Sequence, residues 1–221
     1  MDPLAEKYPN ISSYVYVENN PIKYIDPDGK EKIIGFNTKN KNDASLISAA
    51  NKYQDDGAIH IFAHGSAKHI SIWIGDKKHV ITNAKKLDNF LKKHSETWKN
   101  KEKGDKSTLI FHSCNAGNGN DNLPSFAQEI SKSELFIDTK IIGGDAYVWA
   151  SSDGERGVYP AVKDNNGNEK RNNDGVRIRS EDVGNWNVFE NGKQIEQYKG
   201  DWKPKEKPTF GDKLFKKNEE K

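Results

Sequence analysis

The chain reads as an α/β protein, a mainly parallel sheet flanked by helices with an antiparallel β extension on its carboxyl-terminal side. Three observations predict this. Residues 58–63 and 107–112 are short apolar runs bounded by turn formers, as strands buried on both faces are. A segment with helical spacing precedes each, which gives the strand, helix, strand order of a parallel sheet. From Gly157 onward the pattern changes to short alternating segments between turns, which suits antiparallel pairing.

Taken in order, residues 32–36 (Lys-Ile-Ile-Gly-Phe) form a first strand. Residues 43–53 carry Ala44, Leu46, Ile47, Ala49 and Ala50 at helical spacing, with Asn42 or Asp43 as the cap. The strand over 58–63 runs into His64-Gly65-Ser66. Residues 70–75 alternate and 80–82 follow, a small hairpin flanked by exposed His69 and His79. Residues 83–98 form one helix, with Ala84, Leu87, Phe90 and Leu91 on its inner face and lysines outside.

A charged loop over 99–106 leads to the strand over 107–112 and then Cys114. Residues 115–122 are rich in Gly and Asn, and a short helix starts near Pro124. Residues 140–150 read as one strand interrupted by Gly143-Gly144. In the extension, Asn191-Gly192 between alternating segments is a hairpin signal, while 163–174 is a polar, mobile stretch.

Composition bounds the class. Hydrophobic residues make up 33% and charged residues 31% of the 221, so one compact core with solvated appendages is expected. The expected division is 1–30, an α/β domain over 31–160, its β-rich extension over 161–200, and a basic tail over 201–221. With 35 basic and 33 acidic residues the net charge is +2, which does not call for nucleic acid as a partner. No run is long and apolar enough to span a membrane. A single Cys excludes an internal disulfide and a Cys-rich zinc site.

Two strand ends carry chemistry. In an open α/β sheet, parallel strands deliver functional residues at their carboxyl ends, so His64 and Cys114 emerge on one edge if their strands are neighbours. A thiol is only slightly ionised at neutral pH and needs a base, and an imidazole beside it forms a nucleophile and base pair. The bland alternative is an inert, buried thiol.

This pattern, His64-Gly65 ending one strand and Cys114 ending the next, resembles the caspase-like fold of clan CD cysteine peptidases over roughly residues 32–152. The surroundings of the nucleophile, Ser113-Cys114-Asn115-Ala116-Gly117, depart from the caspase pattern, so aspartate specificity is not carried over. The resemblance implies a cysteine endopeptidase with Cys114 as nucleophile and His64 as acid and base. It also implies oxyanion donors at the main-chain N–H groups of Gly65 and Cys114, and no cofactor. Substrate-holding backbone is implied near Ser151, Ser152 and Asp153. Acidic Asp145, Asp153 and Glu155 predict a basic residue before the cut bond.

The first thirty residues contain Tyr14-Val15-Tyr16-Val17, Asn19-Asn20-Pro21 and Asp26-Pro27-Asp28-Gly29. They resemble the end of the conserved core of Rhs and YD-repeat proteins, where a variable toxin domain follows. Lys30 stands where self-cutting members carry Leu. The resemblance implies a polymorphic antibacterial toxin, secreted as part of a larger Rhs protein and acting in the target cell cytoplasm. Its partners are then a cognate immunity protein and a protein substrate, in the victim or in the carrier. Two other functions compete. One is a metal-dependent hydrolase or nuclease using His60, His64 and His112, although positions four apart on a strand lie about 13 Å from each other. The other is a non-catalytic binding tip.

Overall fold

The computed structural model describes residues 31–53, 57–119, 122–151, 154 and 156–200, and the main chain of 24–25. The readings for the rest of 1–30 and for the tail over 201–221 lie outside these residues.

Strand β1 (Tyr24–Ile25) runs antiparallel to β2 (Glu31–Ile34). A 3-10 turn, Lys41–Asp43, leads into α1 (Ala44–Lys52), which crosses to β3 (Ile59–Phe62), parallel to β2 with Ile34 opposite Phe62. Two-residue β4 (His64–Gly65) leaves the end of β3 and joins β5 (Ile70–Ile74) and β6 (Lys77–Ile81) in a small antiparallel sheet. Helices α2 (Ala84–His94) and α3 (Glu96–Lys99) return the chain to β7 (Ser107–His112), parallel to β3. Helix α4 (Phe126–Ser131) then precedes β8 (Thr139–Gly144), parallel to β7. Strands β9 (Tyr147–Ala150) and β10 (Arg156–Tyr159) pair only with each other, and β11 (Asn185–Glu190) and β12 (Lys193–Lys199) return antiparallel on β8. The main sheet is therefore β1-β2-β3-β7-β8-β11-β12, a parallel centre with antiparallel margins.

Local chemistry sets these boundaries. Asn83 caps α2 by accepting the Lys86 N–H at 2.9 Å. The single helix expected over 83–98 is two, because Ser95 leaves helical geometry and accepts the Trp98 N–H at 2.9 Å as the cap of α3. The strand expected over 140–150 is also two, β8 and β9, in different sheets. Its glycines allow a close crossing: a Cβ on Gly117 would lie 2.1 Å from the Gly143 carbonyl oxygen. The Asn191-Gly192 turn has φ of 51° and 78°, the left-handed pair that a two-residue hairpin requires. His69 and His79, expected to be exposed, are half-buried against the β5–β6 hairpin and α2. Residues 163–174 form a tied arm, with main-chain bridges Lys163↔Glu169 and Arg171↔Arg177.

The strands present two faces. Ile59, Ile61, Leu109, Phe111 and Ile141 meet α2 through Leu87, Phe90 and Leu91 and meet α4 through Phe126 and Ile130. On the other face Phe62 packs with Ala50 of α1 and with Tyr53 just after it, while Ile110 and Ile142 pack with Val158 and Trp186. Covered on both sides, β3 is apolar apart from His60, and β7 apart from Ser107, Thr108 and His112.

Candidate active site

Phe62 lies opposite His112 in the parallel β3–β7 pair. Two residues past each of these ends in the sequence (62 + 2 and 112 + 2) come His64, which opens β4, and Cys114, so both follow the carboxyl ends of neighbouring strands. Gly65 keeps the strand ends together: a Cβ there would sit 2.7 Å from the Ser113 Cβ and 3.2 Å from the Cys114 carbonyl oxygen. Only a hydrogen fits.

The His64 side chain is 52% exposed, and its Nε2 lies 3.1 Å from Oδ1 of Asp43, whose side chain is 3% exposed. The carboxylate also accepts the Asn37 N–H at 2.9 Å and Asn40 Nδ2 at 3.2 Å. An edge of Phe36 supports the ring, with centroids 5.2 Å apart. With Nε2 held by Asp43, Nδ1 is the nitrogen left for proton transfer. In this structure His64 bonds Asp43, not Cys114. Asp43, expected only as a helix cap, makes no capping bond to α1. No sequence motif marks it beyond an Asp in the turn after the first strand.

Cys114 is half-buried. Burial pushes its thiol above the ordinary value, while the Val148 main-chain N–H, the Arg177 charge and its own N–H act in the opposite sense. Asn115 follows with φ of 58°, and its N–H donates to the Ala146 carbonyl at 2.7 Å. That left-handed step folds the chain back under β9.

Of the two main-chain donors expected for an oxyanion, that of Cys114 faces its own thiol, and the direction of that of Gly65 follows from strand pairing. Ser66 N–H donates to the His69 carbonyl at 2.9 Å, so 66 and 69 form a hydrogen-bonded pair. By alternation Gly65 and Ile70 form a non-bonded pair, which turns the Gly65 N–H away from β5. The donor is thus not spent on that strand.

Sequence reasoning missed one cluster. Arg177 Nε bonds Glu169 Oε2 at 2.6 Å, the Tyr147 hydroxyl donates to Glu169 Oε1, and the guanidinium lies 4.6 Å over the Tyr147 ring. Tyr147 precedes Val148, so the arm is fastened beside the thiol. Ser151 stands three residues beyond Val148 and accepts the Gly154 N–H at 3.1 Å. Gly154 in turn packs on Lys52 and Tyr53. Ser152 and Asp153 lie outside the described residues, as does Glu155. Asp145 is committed to structure: it accepts the Asn185 N–H at 2.7 Å and Asn185 Nδ2 at 2.9 Å.

The other strand histidines turn inward. His60 Nδ1 and His112 Nε2 are 2.9 Å apart in the core, under Tyr53, Phe62 and Trp186. They are paired with each other and do not gather with His64. Among the described residues no three His, Cys, Asp or Glu side chains are grouped as metal ligands.

These observations define an α/β domain that presents an Asp–His pair and a thiol at one carboxyl edge of its parallel strands. The chain belongs to the family described as a domain of unknown function, DUF8616, whose model matches residues 34–158. The match holds Asp43, His64, Gly65 and Cys114, and ends before Glu169, Arg177, β11 and β12. No curated protein and no solved structure matches the chain.

Proposed function

We propose that this is an Rhs-associated antibacterial toxin domain that acts as a caspase-like cysteine endopeptidase. The observation that carries the reading is the close approach of Gly65 to Ser113 and Cys114 where parallel β3 and β7 end, which brings the His64 segment, with a buried carboxylate on its imidazole, beside the thiol segment. The amino-terminal likeness to the Rhs core supplies the toxin context.

In this reading Nδ1 of His64 takes the Cys114 proton as the sulfur attacks the peptide carbonyl carbon. The charge that develops on oxygen is met by the main-chain N–H groups of Gly65 and Cys114. His64 then returns the proton to the leaving amine as the C–N bond breaks, leaving a thioester. Water, deprotonated by the same ring, releases the acid and restores the thiol. Asp43 holds the ring in orientation through Nε2. The substrate is a protein of the victim or the carrier itself. A cognate immunity protein covers the His64 and Cys114 edge.

Wild-type chain and Cys114→Ala expressed in bacterial cytoplasm test this, with growth and chain mass followed together. Loss of killing or of self-cleavage in a folded Cys114→Ala chain supports the peptidase, and equal toxicity refutes it. One feature favours a non-catalytic tip: burial raises the Cys114 thiol. That reading requires His64→Ala to leave both toxicity and thiol reactivity unchanged.

A further inference from the structure

A second concave site lies away from the thiol, between β6 and α2. It is a groove of about 410 Å³. Lys78 stands on the strand side, and Lys86 and Lys93 stand on the helix. No Asp or Glu lines it. The nearby acids are already matched: Asp88 is buried against Lys92 at 2.8 Å and Trp98 Nε1 at 3.0 Å, and Asp76 bonds Lys39 at 2.7 Å.

The interior of the groove is apolar and aromatic. Buried Ile81 and Phe90 lie at its base, while Val80, 44% exposed, turns to the other face of β6 from Ile81. The His79 and His94 rings lie 5.6 Å and 4.6 Å from the Phe90 ring. Burial, with Lys77 and Lys93 close by, pushes His79 below its ordinary value, so at neutral pH its ring adds surface to the groove and the lysines supply the charge.

β6 is the outer strand of its three-stranded sheet. Lysines alone on such a strand serve to discourage pairing with other chains. The half-buried His79 and His94 rings against Phe90 do the opposite, because they reward an apolar side chain that enters. Charge and shape together select a ligand that carries carboxylates on either side of apolar groups.

We propose that the groove between β6 and α2 is a docking site for an acidic, apolar-interspersed segment of a partner polypeptide. Its carboxylates meet Lys78, Lys86 and Lys93, and an apolar side chain lies over the His79 and His94 rings. The site is independent of the peptidase reading. It shares the small sheet with His64, which pairs with Ser71, which in turn pairs with Val80.

The test uses the full chain carrying Cys114→Ala and a fluorescent peptide of glutamate pairs separated by single leucines, with binding followed by anisotropy. The triple substitution Lys78→Gln, Lys86→Gln, Lys93→Gln is expected to weaken binding about tenfold, the sum expected of a few exposed ion pairs. Equal charge removed elsewhere, as Lys99→Gln, Lys103→Gln, Lys106→Gln, is expected to leave it within about twofold. His94→Ser is expected to weaken the peptide about threefold while leaving inorganic tripolyphosphate binding unchanged. Equal losses in both triple variants overturn the proposal, as does an unaltered affinity in the first. Insensitivity to His94→Ser, with tripolyphosphate displacing the peptide, assigns the groove to phosphate anions and also overturns it.

Discussion

A carboxylate with a 3% exposed side chain needs donors, and Asp43 has the Asn37 main chain, the Asn40 amide and His64. Removing its charge while keeping its shape therefore tests orientation and charge without opening a cavity. Asp43→Asn is expected to lower peptide cleavage in single-turnover assays, by less than His64→Ala, for which general acid–base catalysis sets a loss of about 10²–10⁴-fold. The raised Cys114 thiol gives a second expectation. Without His64, the rate of alkylation by iodoacetamide should rise only above the free-cysteine range of about 8.5, and a lower midpoint contradicts the burial argument. His64 and Cys114 were legible because each ends an apolar run with turn formers after it. Asp43 was not, since its partner lies 21 residues away and only the path of the 3-10 turn brings them together.

Between the elements, β3 and β7 are joined on one face by the buried His60–His112 pair. His112 is held well below its ordinary value by burial first, then by the charge of His60 and Arg156. Its neutral ring is fully compatible with the fold above about pH 6.5. As pH falls below that, the unfolded chain binds a proton that folded His112 refuses, and stability drops by about 1.4 kcal/mol per pH unit until the depressed folded value is reached. Ring-proton NMR should show His112 unshifted at pH 5.5, and urea midpoints should fall between pH 7 and pH 5.5. The crossing of β8 with the loop after Cys114 gives another expectation. Gly117→Ala, with its Cβ 2.1 Å from the Gly143 oxygen, should cost about 1–3 kcal/mol in urea unfolding and displace the thiol loop. Periodicity revealed the helices but hid their breaks, because Ser95 looks like any polar position until its hydroxyl is seen on the Trp98 N–H.

At the scale of the whole molecule, a parallel centre with antiparallel margins follows from the change of pattern after Gly157, and the Asn191-Gly192 hairpin was readable because its turn is local. The Tyr147, Glu169 and Arg177 cluster was not, because Tyr147 and Glu169 are 22 residues apart and meet only when the arm folds back on β9. An immunity protein that covers the edge should slow Cys114 alkylation in the complex to the rate of a buried thiol; unchanged alkylation in a saturated complex places it elsewhere. The first strand has a consequence for release from any carrier. β1 lies within the Rhs-like stretch and is held to β2 by main-chain pairing, Tyr24 with Lys32 and Ile25 with Glu31. A cut between them severs the covalent chain but leaves the two pieces zipped together, so liberation is a two-stage event, hydrolysis first and strand departure second.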